Sequence, residues 1–95
     1  MEKFLVETYL PRQRGLESQE AAGRARRAAE ELTRAGTPVR YLRTLFVAED
    51  ETCFHVFEGA SEDVVAHVSR DAGIDYARIV PVTFDGDGAK GGPAS

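Results

Sequence analysis

The sequence has one cysteine, one methionine and no tryptophan among its 95 residues. A single cysteine cannot form a disulfide within the chain, so we expect a reducing compartment and a cytoplasmic location. No stretch approaches the roughly 20 apolar residues that a membrane helix needs, and the first residues do not resemble a signal peptide. We therefore expect neither membrane spanning nor secretion.

Large apolar side chains are also few. The sequence holds 13 Ala residues and only 26 large apolar residues (Val, Ile, Leu, Phe, Tyr and Met). This number suffices for one small hydrophobic core, so we predict a single folded domain. A domain of this size buries a modest share of its surface and is marginally stable alone, which makes oligomerisation an early expectation.

The charge of the chain is unevenly distributed. Residues 1–48 carry 9 Lys and Arg against 6 Asp and Glu, whereas residues 49–95 carry 3 against 10. The Arg residues at 24–34 alternate with Glu residues at helical spacing, which is typical of a solvated helix surface. Neither half has the dense basic stripe of a phosphate-backbone binder, so we predict no nucleic-acid partner.

Hydrophobic periodicity predicts six elements. Alternating apolar residues indicate strands at 4–10, 39–48, 52–58 and 77–84, and Pro81 favours an edge position for the last strand. Ala and Val residues at helical spacing indicate two helices, with Ser18 and Ser61 as N-caps and with Gly36 and Gly73 after their ends. The Gly-rich segment 85–95 has no large apolar residue, and we predict that it is a flexible tail to a domain spanning residues 1–84.

The order βαββαβ predicts a ferredoxin-like α+β fold. Right-handed crossovers place strands 1 and 3 at the centre of a four-stranded antiparallel sheet and both helices on one face of it. The opposite face, called the open face below, is then uncovered. An apolar open face is unusual on a soluble monomer, so we predict a homodimer that packs two sheets together in a barrel-like assembly.

Strand alternation also predicts which side chains occupy the open face. We expect Glu7 and Tyr9 from strand 1 to meet Cys53, His55 and Phe57 from strand 3. Tyr41 and Arg43 of strand 2 join this layer if the hairpin register allows it, because a shift of one residue would turn them away. Glu7 and His55 are then expected to be neighbours in a dimer cavity.

Three stretches resemble a known family: FLVETYLPR, VRYLRTLFVAED and CFHVFEGASEDVVAHVSRDAGIDYARIVPV. Over about residues 4–83 they look like the DUF4242 family, which is described as nickel-binding and ferredoxin-like. The sequences of its members have motifs similar to V-E in strand 1, H-S in strand 2 and F-C-V-Y-E-A-P in strand 3. The resemblance aligns Glu7, Arg43-Thr44 and residues 54–60 with these motifs. It implies that Arg43 replaces the family's His and that His55 replaces its Cys.

Three functions remain open from the sequence. The first is an accessory module that binds a small molecule, with the ligand-binding residues Glu7, Tyr9, Tyr41, Arg43, His55 and Phe57. The second, which the family resemblance implies, is a metal-binding protein that holds a divalent nickel or zinc ion through His55, Glu7 and Cys53. The third is a small dimeric-barrel enzyme in which His55, with Glu7, acts as general acid or base and Arg43 binds a carboxylate or oxyanion.

Overall fold

Four strands and two helices follow one another in the order β1-α1-β2-β3-α2-β4 in the computed structural model, which describes residues 1–85. The strands are β1 (Glu2–Tyr9), β2 (Val39–Val47), β3 (Thr52–Gly59) and β4 (Arg78–Val82), and the helices are α1 (Glu17–Arg34) and α2 (Glu62–Asp71). The predicted ferredoxin-like fold class is confirmed. Apart from Asp85, the predicted tail lies outside the described residues.

The strands form one antiparallel sheet in the order β2-β3-β1-β4. Strands β1 and β3 are central, as predicted, and β4 is at an edge. Pro81 of β4 lies opposite Phe4 of β1, and an edge strand tolerates the ladder donor that proline lacks.

Local signals explain where the helices begin and end. Ser61 caps α2 by accepting a hydrogen bond from the backbone N–H of Val64 (3.3 Å). The predicted cap at Ser18 is wrong, because α1 begins at Glu17 and the Ser18 hydroxyl donates to the carbonyl of Gly15 (2.7 Å). Among residues 1–85, no helix is both long enough and apolar enough to cross a membrane.

Both helices pack on one face of the sheet, called the helix face below. Helix α1 contributes mainly alanines, which let its backbone approach the strands closely, and α2 contributes valines. The buried core that results includes Ala25, Ala28, Ala29, Leu32, Val65, Val68, Phe4, Val6, Val39 and Phe57.

The pairing of β1 with β3 corrects the predicted composition of the open face. Residues directly opposite each other in an antiparallel pair project to the same side of the sheet. His55 lies opposite Val6, which packs in the core, so His55 is on the helix face. Glu7 lies opposite Phe54 and is on the open face. The prediction that Glu7 and His55 are neighbours in one cavity is therefore wrong.

A bulge in β2 separates two more of the predicted site residues. Tyr41 lies opposite Phe57, but Arg43 lies opposite Val56, because the register shifts between positions 41 and 43. The extra residue reverses the alternation. Tyr41 and Phe57 consequently belong to the helix face and Arg43 to the open face, which corrects the prediction that the three share one layer.

Candidate functional site

The most unusual group on the helix face is the imidazole of His55, which is only 1% exposed. Its Nδ1 lies 2.8 Å from Oγ1 of Thr44, the residue opposite it on β2. The same Oγ1 lies 2.7 Å from the hydroxyl of Tyr41. We call these three hydrogen-bonded residues the hydroxyl relay. It satisfies one nitrogen of the buried ring and fixes the orientation of the ring.

The other ring nitrogen of His55 is less well satisfied. Its Nε2 lies 3.8 Å from Sγ of Cys53, which is also 1% exposed. Sulfur is a weak hydrogen-bond partner. The Thr8 hydroxyl donates to the carbonyl oxygen of Cys53 (3.4 Å). Among the described residues, the Nε2 atom is therefore a buried polar group with only a weak partner.

A cavity of about 180 Å³ lies on this side of the ring, and we call it the inner cavity. The end of β1, strand β3, the first half of α1 and the segment after α2 line it, and it opens to solvent. Cys53 and His55 are its most buried lining residues. The complete lining is Thr8, Tyr9, Leu10, Arg14, Glu17, Ser18, Glu20, Ala21, Arg24, Cys53, His55, Gly73, Ile74 and Asp75.

Burial, and secondarily the charge of Arg24, lowers the pKa of His55 from its ordinary value to about 4. The ring is therefore neutral at physiological pH, with one nitrogen that donates and one that accepts. Arg24 is positioned by a hydrogen bond from its Nε to the carbonyl of Ala72 at the end of α2 (2.8 Å). The inner cavity thus combines a fixed cation with an uncharged imidazole.

The pKa of His55 is lowered, whereas the pKa of the Cys53 thiol is raised. Burial raises its pKa, and its interaction with Thr8 opposes this effect. At neutral pH the group is a thiol, not the thiolate that nucleophilic or metal-binding cysteines use. Its contact with His55 is thus between two uncharged groups.

The open face carries the remaining predicted site residues. Glu7 pairs with Arg78 on the neighbouring strand (2.8 Å), and Arg43 is exposed. Tyr9, at the end of β1, is 69% exposed and also lines the inner cavity. The six predicted ligand-binding residues are therefore divided between two faces, with Glu7, Tyr9 and Arg43 on one and His55, Phe57 and Tyr41 on the other.

The three predicted metal ligands do not come together in one site. Cys53 and His55 lie side by side, but Glu7 is on the opposite side of the sheet. Within residues 1–85, no three His, Cys, Asp or Glu side chains cluster closely enough to hold an ion. The predicted catalytic arrangement is wrong for the same reason, because neither Glu7 nor Arg43 is on the face of His55.

Sequence reasoning missed three residues of this site: Thr8, Arg24 and Thr44. Arg24 is exposed, as predicted for a solvated helix surface, but it also lines the inner cavity. It lies three residues after Ala21 and four before Ala28, and this spacing places it beside the apolar stripe. The role of Thr44 depends on the β2 bulge, which strand alternation does not reveal.

A larger groove of about 430 Å³ lies between α1 and β2. All of its charged lining residues are exposed: Arg26, Glu30, Arg34 and Arg40. The aromatic ring in its lining is that of Tyr41, and Cζ of Arg26 lies 5.0 Å from the centre of this ring. The inner cavity is smaller and its charged lining residues are exposed as well, but it also presents the buried imidazole of His55, whose Nε2 has a weak partner. We therefore take the inner cavity as the candidate site.

The chain is thus a small ferredoxin-like protein with a polar cavity between α1 and the sheet. Its residues 4–82 match the sequence profile of the family described as "Nickel responsive protein SCO4226-like", and the chain belongs to this family. This agrees with the nickel-associated family resemblance seen in the sequence, although the DUF4242 name itself stays a prediction.

One solved structure shows the same fold, that of SCO4226 from Streptomyces coelicolor A3(2). The TM-score is 0.56 at 15% sequence identity, and the match covers 86% of this chain and 96% of that one. No curated protein matches the sequence significantly. At this level of identity the likeness establishes the fold alone.

Proposed function

We propose that this protein is an accessory module that binds a small molecule in the inner cavity. The observation that carries the proposal is the Nε2 atom of His55, a buried polar group beside a cavity, with only a thiol near it. A buried polar atom without a strong partner costs about 1–3 kcal/mol. A bound ligand that hydrogen-bonds to Nε2 would recover this cost.

The proposed location differs from the one predicted from the sequence. The sequence prediction placed the ligand in a dimer cavity on the open face, whereas His55 and Cys53 line a cavity on the helix face. A volume of about 180 Å³ is below the roughly 300–1,000 Å³ that is usual for pockets binding drug-sized ligands. The proposed ligand is therefore a small metabolite rather than a nucleotide or a haem.

The test is a nuclear magnetic resonance titration with small acids, amides, amines and alcohols. At least one of these four classes should shift the signals of His55 and Cys53 saturably. Ala21→Leu, which adds bulk to a half-buried lining position, should abolish the shift. Ala35→Leu, on the exposed surface at the end of α1, is the matched control and should leave it intact. Shifts that are absent for all four classes, or that persist in Ala21→Leu, would contradict the proposal.

We further propose that the protein is a homodimer through its open face. This face includes the apolar residues Leu5, Leu45, Val47, Phe54 and Val80. Leu45 is 46% exposed and Val47 is 38% exposed, which is unfavourable unless a second surface covers them. The ion pair between Glu7 and Arg78 lies on the same face and provides polar contacts at its margin.

The mass in solution tests the dimer. Light scattering should give twice the chain mass of 10.4 kDa, and Leu45→Lys should halve the measured mass. Leu16→Lys is the matched control, because Leu16 is 79% exposed and lies outside the sheet. A monomeric wild-type protein at micromolar concentration, or a Leu45→Lys protein that remains dimeric, would count against this interface.

Nickel binding is a second candidate, favoured by the family description and by the adjacency of Cys53 and His55. Equilibrium dialysis of untagged protein against Ni²⁺, with Zn²⁺ for comparison, tests it. If these two side chains bind the ion, Cys53→Ser should release it and Glu7→Gln should not, because Glu7 is on the opposite face. Protein that retains no nickel would eliminate this candidate.

A further inference from the structure

The hydroxyl relay has a preferred direction. The two hydrogen bonds of the relay can run in either direction. The hydroxyls can donate toward His55, or Nδ1–H of His55 can donate to Thr44 and Thr44 to Tyr41. A phenol is a stronger donor than an aliphatic hydroxyl, and an imidazole nitrogen is a stronger acceptor than either oxygen. The favoured direction therefore has Tyr41 donating to Thr44 and Thr44 donating to Nδ1 of His55.

This direction determines what His55 presents to the inner cavity. With Nδ1 accepting, the single proton of the neutral ring is on Nε2. Within residues 1–85, the contact of Nε2 is with Sγ of Cys53 at 3.8 Å, which is distant and weak. The Nε2–H group is thus a buried donor at the edge of the cavity.

Arg24 provides a second donor in the same cavity. Its Nε is bound to the carbonyl of Ala72, which leaves the terminal nitrogens of the guanidinium as donors. Arg24 and His55 line the same cavity, and the positive charge of Arg24 contributes to the lowered pKa of His55. The cavity consequently offers the buried Nε2–H donor of His55 and, from the exposed side chain of Arg24, further donors and a positive charge.

The remainder of the lining restricts the ligand further. The lining also holds the exposed carboxylates of Glu17, Glu20 and Asp75, and Glu17 is paired with Arg14 at 2.8 Å, so repulsion increases with each negative charge that a ligand carries. Leu10, Ala21 and Ile74 are apolar and suit a short hydrocarbon group. A ligand with one anionic group and a small apolar remainder is complementary to Arg24 and to these apolar residues.

We propose that the ligand is a small monocarboxylate whose oxygens accept hydrogen bonds from Arg24 and from Nε2–H of His55. This inference rests on the proposed small-molecule function and specifies its ligand class. Charge-assisted hydrogen bonds from a guanidinium are about twice as strong as neutral ones. Arg24 is therefore the residue that distinguishes a carboxylate from an uncharged ligand of the same shape.

Three probes of similar size test the ligand class: propionate, propionamide and propylamine. Propionate should shift the His55 signals saturably, with propionamide binding at least about tenfold more weakly and propylamine not at all. Arg24→Gln should weaken propionate about tenfold or more, and Arg24→Lys should weaken it less. Arg27→Gln, an exposed position outside the cavity on the same helix, should leave binding unchanged.

The outcomes separate this inference from the proposed function. If propionamide or propylamine binds as tightly as propionate, and Ala21→Leu abolishes that binding, the carboxylate inference fails and the cavity remains a binding site. If propionate does not bind at all, the inference fails whatever the other probes do. If no probe of any class binds, both proposals fail.

The tautomer of His55 tests the hydroxyl relay. A contact that only packed against the ring would not determine which ring nitrogen carries the proton. Nitrogen-15 spectra of the wild-type ring should show Nε2 protonated and Nδ1 unprotonated. Tyr41→Phe removes the terminal donor and should produce a mixture of tautomers, with propionate binding about threefold weaker or more. Tyr76→Phe, a partly buried ring outside this cavity, should change neither property. A wild-type ring protonated at Nδ1 would overturn the assignment.

Discussion

Thr44 on β2 and His55 on β3 are direct cross-strand neighbours, and Oγ1 of Thr44 lies 2.8 Å from Nδ1 of His55. Because the ring is buried, this hydroxyl is the group that satisfies Nδ1 in place of water. Thr44 also contacts the hydroxyl of Tyr41. A single side chain therefore keeps two other polar groups paired on the helix face.

Thr44→Val should destabilise the protein by about 1–3 kcal/mol. The substitution keeps the shape of the side chain but leaves the buried Nδ1 of His55 without a partner, and an unpaired buried polar atom costs about this much. Urea unfolding gives the change directly. Thr83→Val, at an exposed position, is the control and should change stability by less than about 0.5 kcal/mol. Equal effects of the two substitutions would show that the contact contributes no stability.

The fold could be predicted from the sequence because several local signals agree. Alanines at helical spacing, Ser61 before α2, and Gly36 and Gly73 after the helices all indicated the same element order. Both glycines adopt positive φ angles, +112° and +72°, which an L side chain rarely accepts. Such signals concern residues that are close in sequence, and the order βαββαβ leaves few ways to assemble them.

The site could not be predicted in the same way, because both sides of β3 are largely apolar. Phe54 and Val56 alternate with Cys53, His55 and Phe57, so alternation alone does not indicate which set packs on the helices. The pairing of Val6 with His55 determines the choice, and this pairing is a long-range contact.

Stability should depend on pH through His55. Its pKa is about 4 in the folded protein, against an ordinary value of 6.5, so between these values the unfolded chain binds more protons. Stability is therefore unaffected by this group above about pH 6.5, falls as the pH decreases from 6.5 to 4, and then levels off. A shift of this size corresponds to about 3 kcal/mol in total.

Urea unfolding between pH 4 and pH 7.5, compared with His55→Asn, isolates this contribution. Asn presents a polar atom near the position of Nδ1 but does not titrate. The exposed pair of His67 with Asp71 is present in both proteins, so its effect cancels in the comparison. The wild type should lose more stability than the variant across this range. If the variant does not fold, the chemical shifts of the wild-type ring report its pKa directly. Identical pH profiles, or a ring that titrates near 6.5, would show that His55 is not desolvated.

Cys53 should react slowly with thiol reagents in the folded protein. The thiol is 1% exposed, and burial raises its pKa, so both access and the thiolate fraction are reduced. Alkylation by iodoacetamide at pH 8 should be about 100-fold slower or more than in urea-unfolded protein. The unfolded chain is the natural control, because it contains the same single cysteine. Equal rates in the two states would mean that the inner cavity admits the reagent freely.

Two glycines should respond in opposite ways to the same substitution. At Gly15, a Cβ would lie 2.7 Å from the ring of Phe46, closer than such atoms pack, and Gly15→Ala should cost about 1 kcal/mol or more. At Gly23, inside α1, the nearest atom is the end of the Arg27 side chain at 3.5 Å. Gly23→Ala should stabilise the protein by about 0.5–1 kcal/mol, because alanine loses less backbone freedom in a helix. A urea midpoint that does not fall for Gly15→Ala would show that Phe46 yields to the added methyl group, and one that falls for Gly23→Ala would contradict the helix prediction.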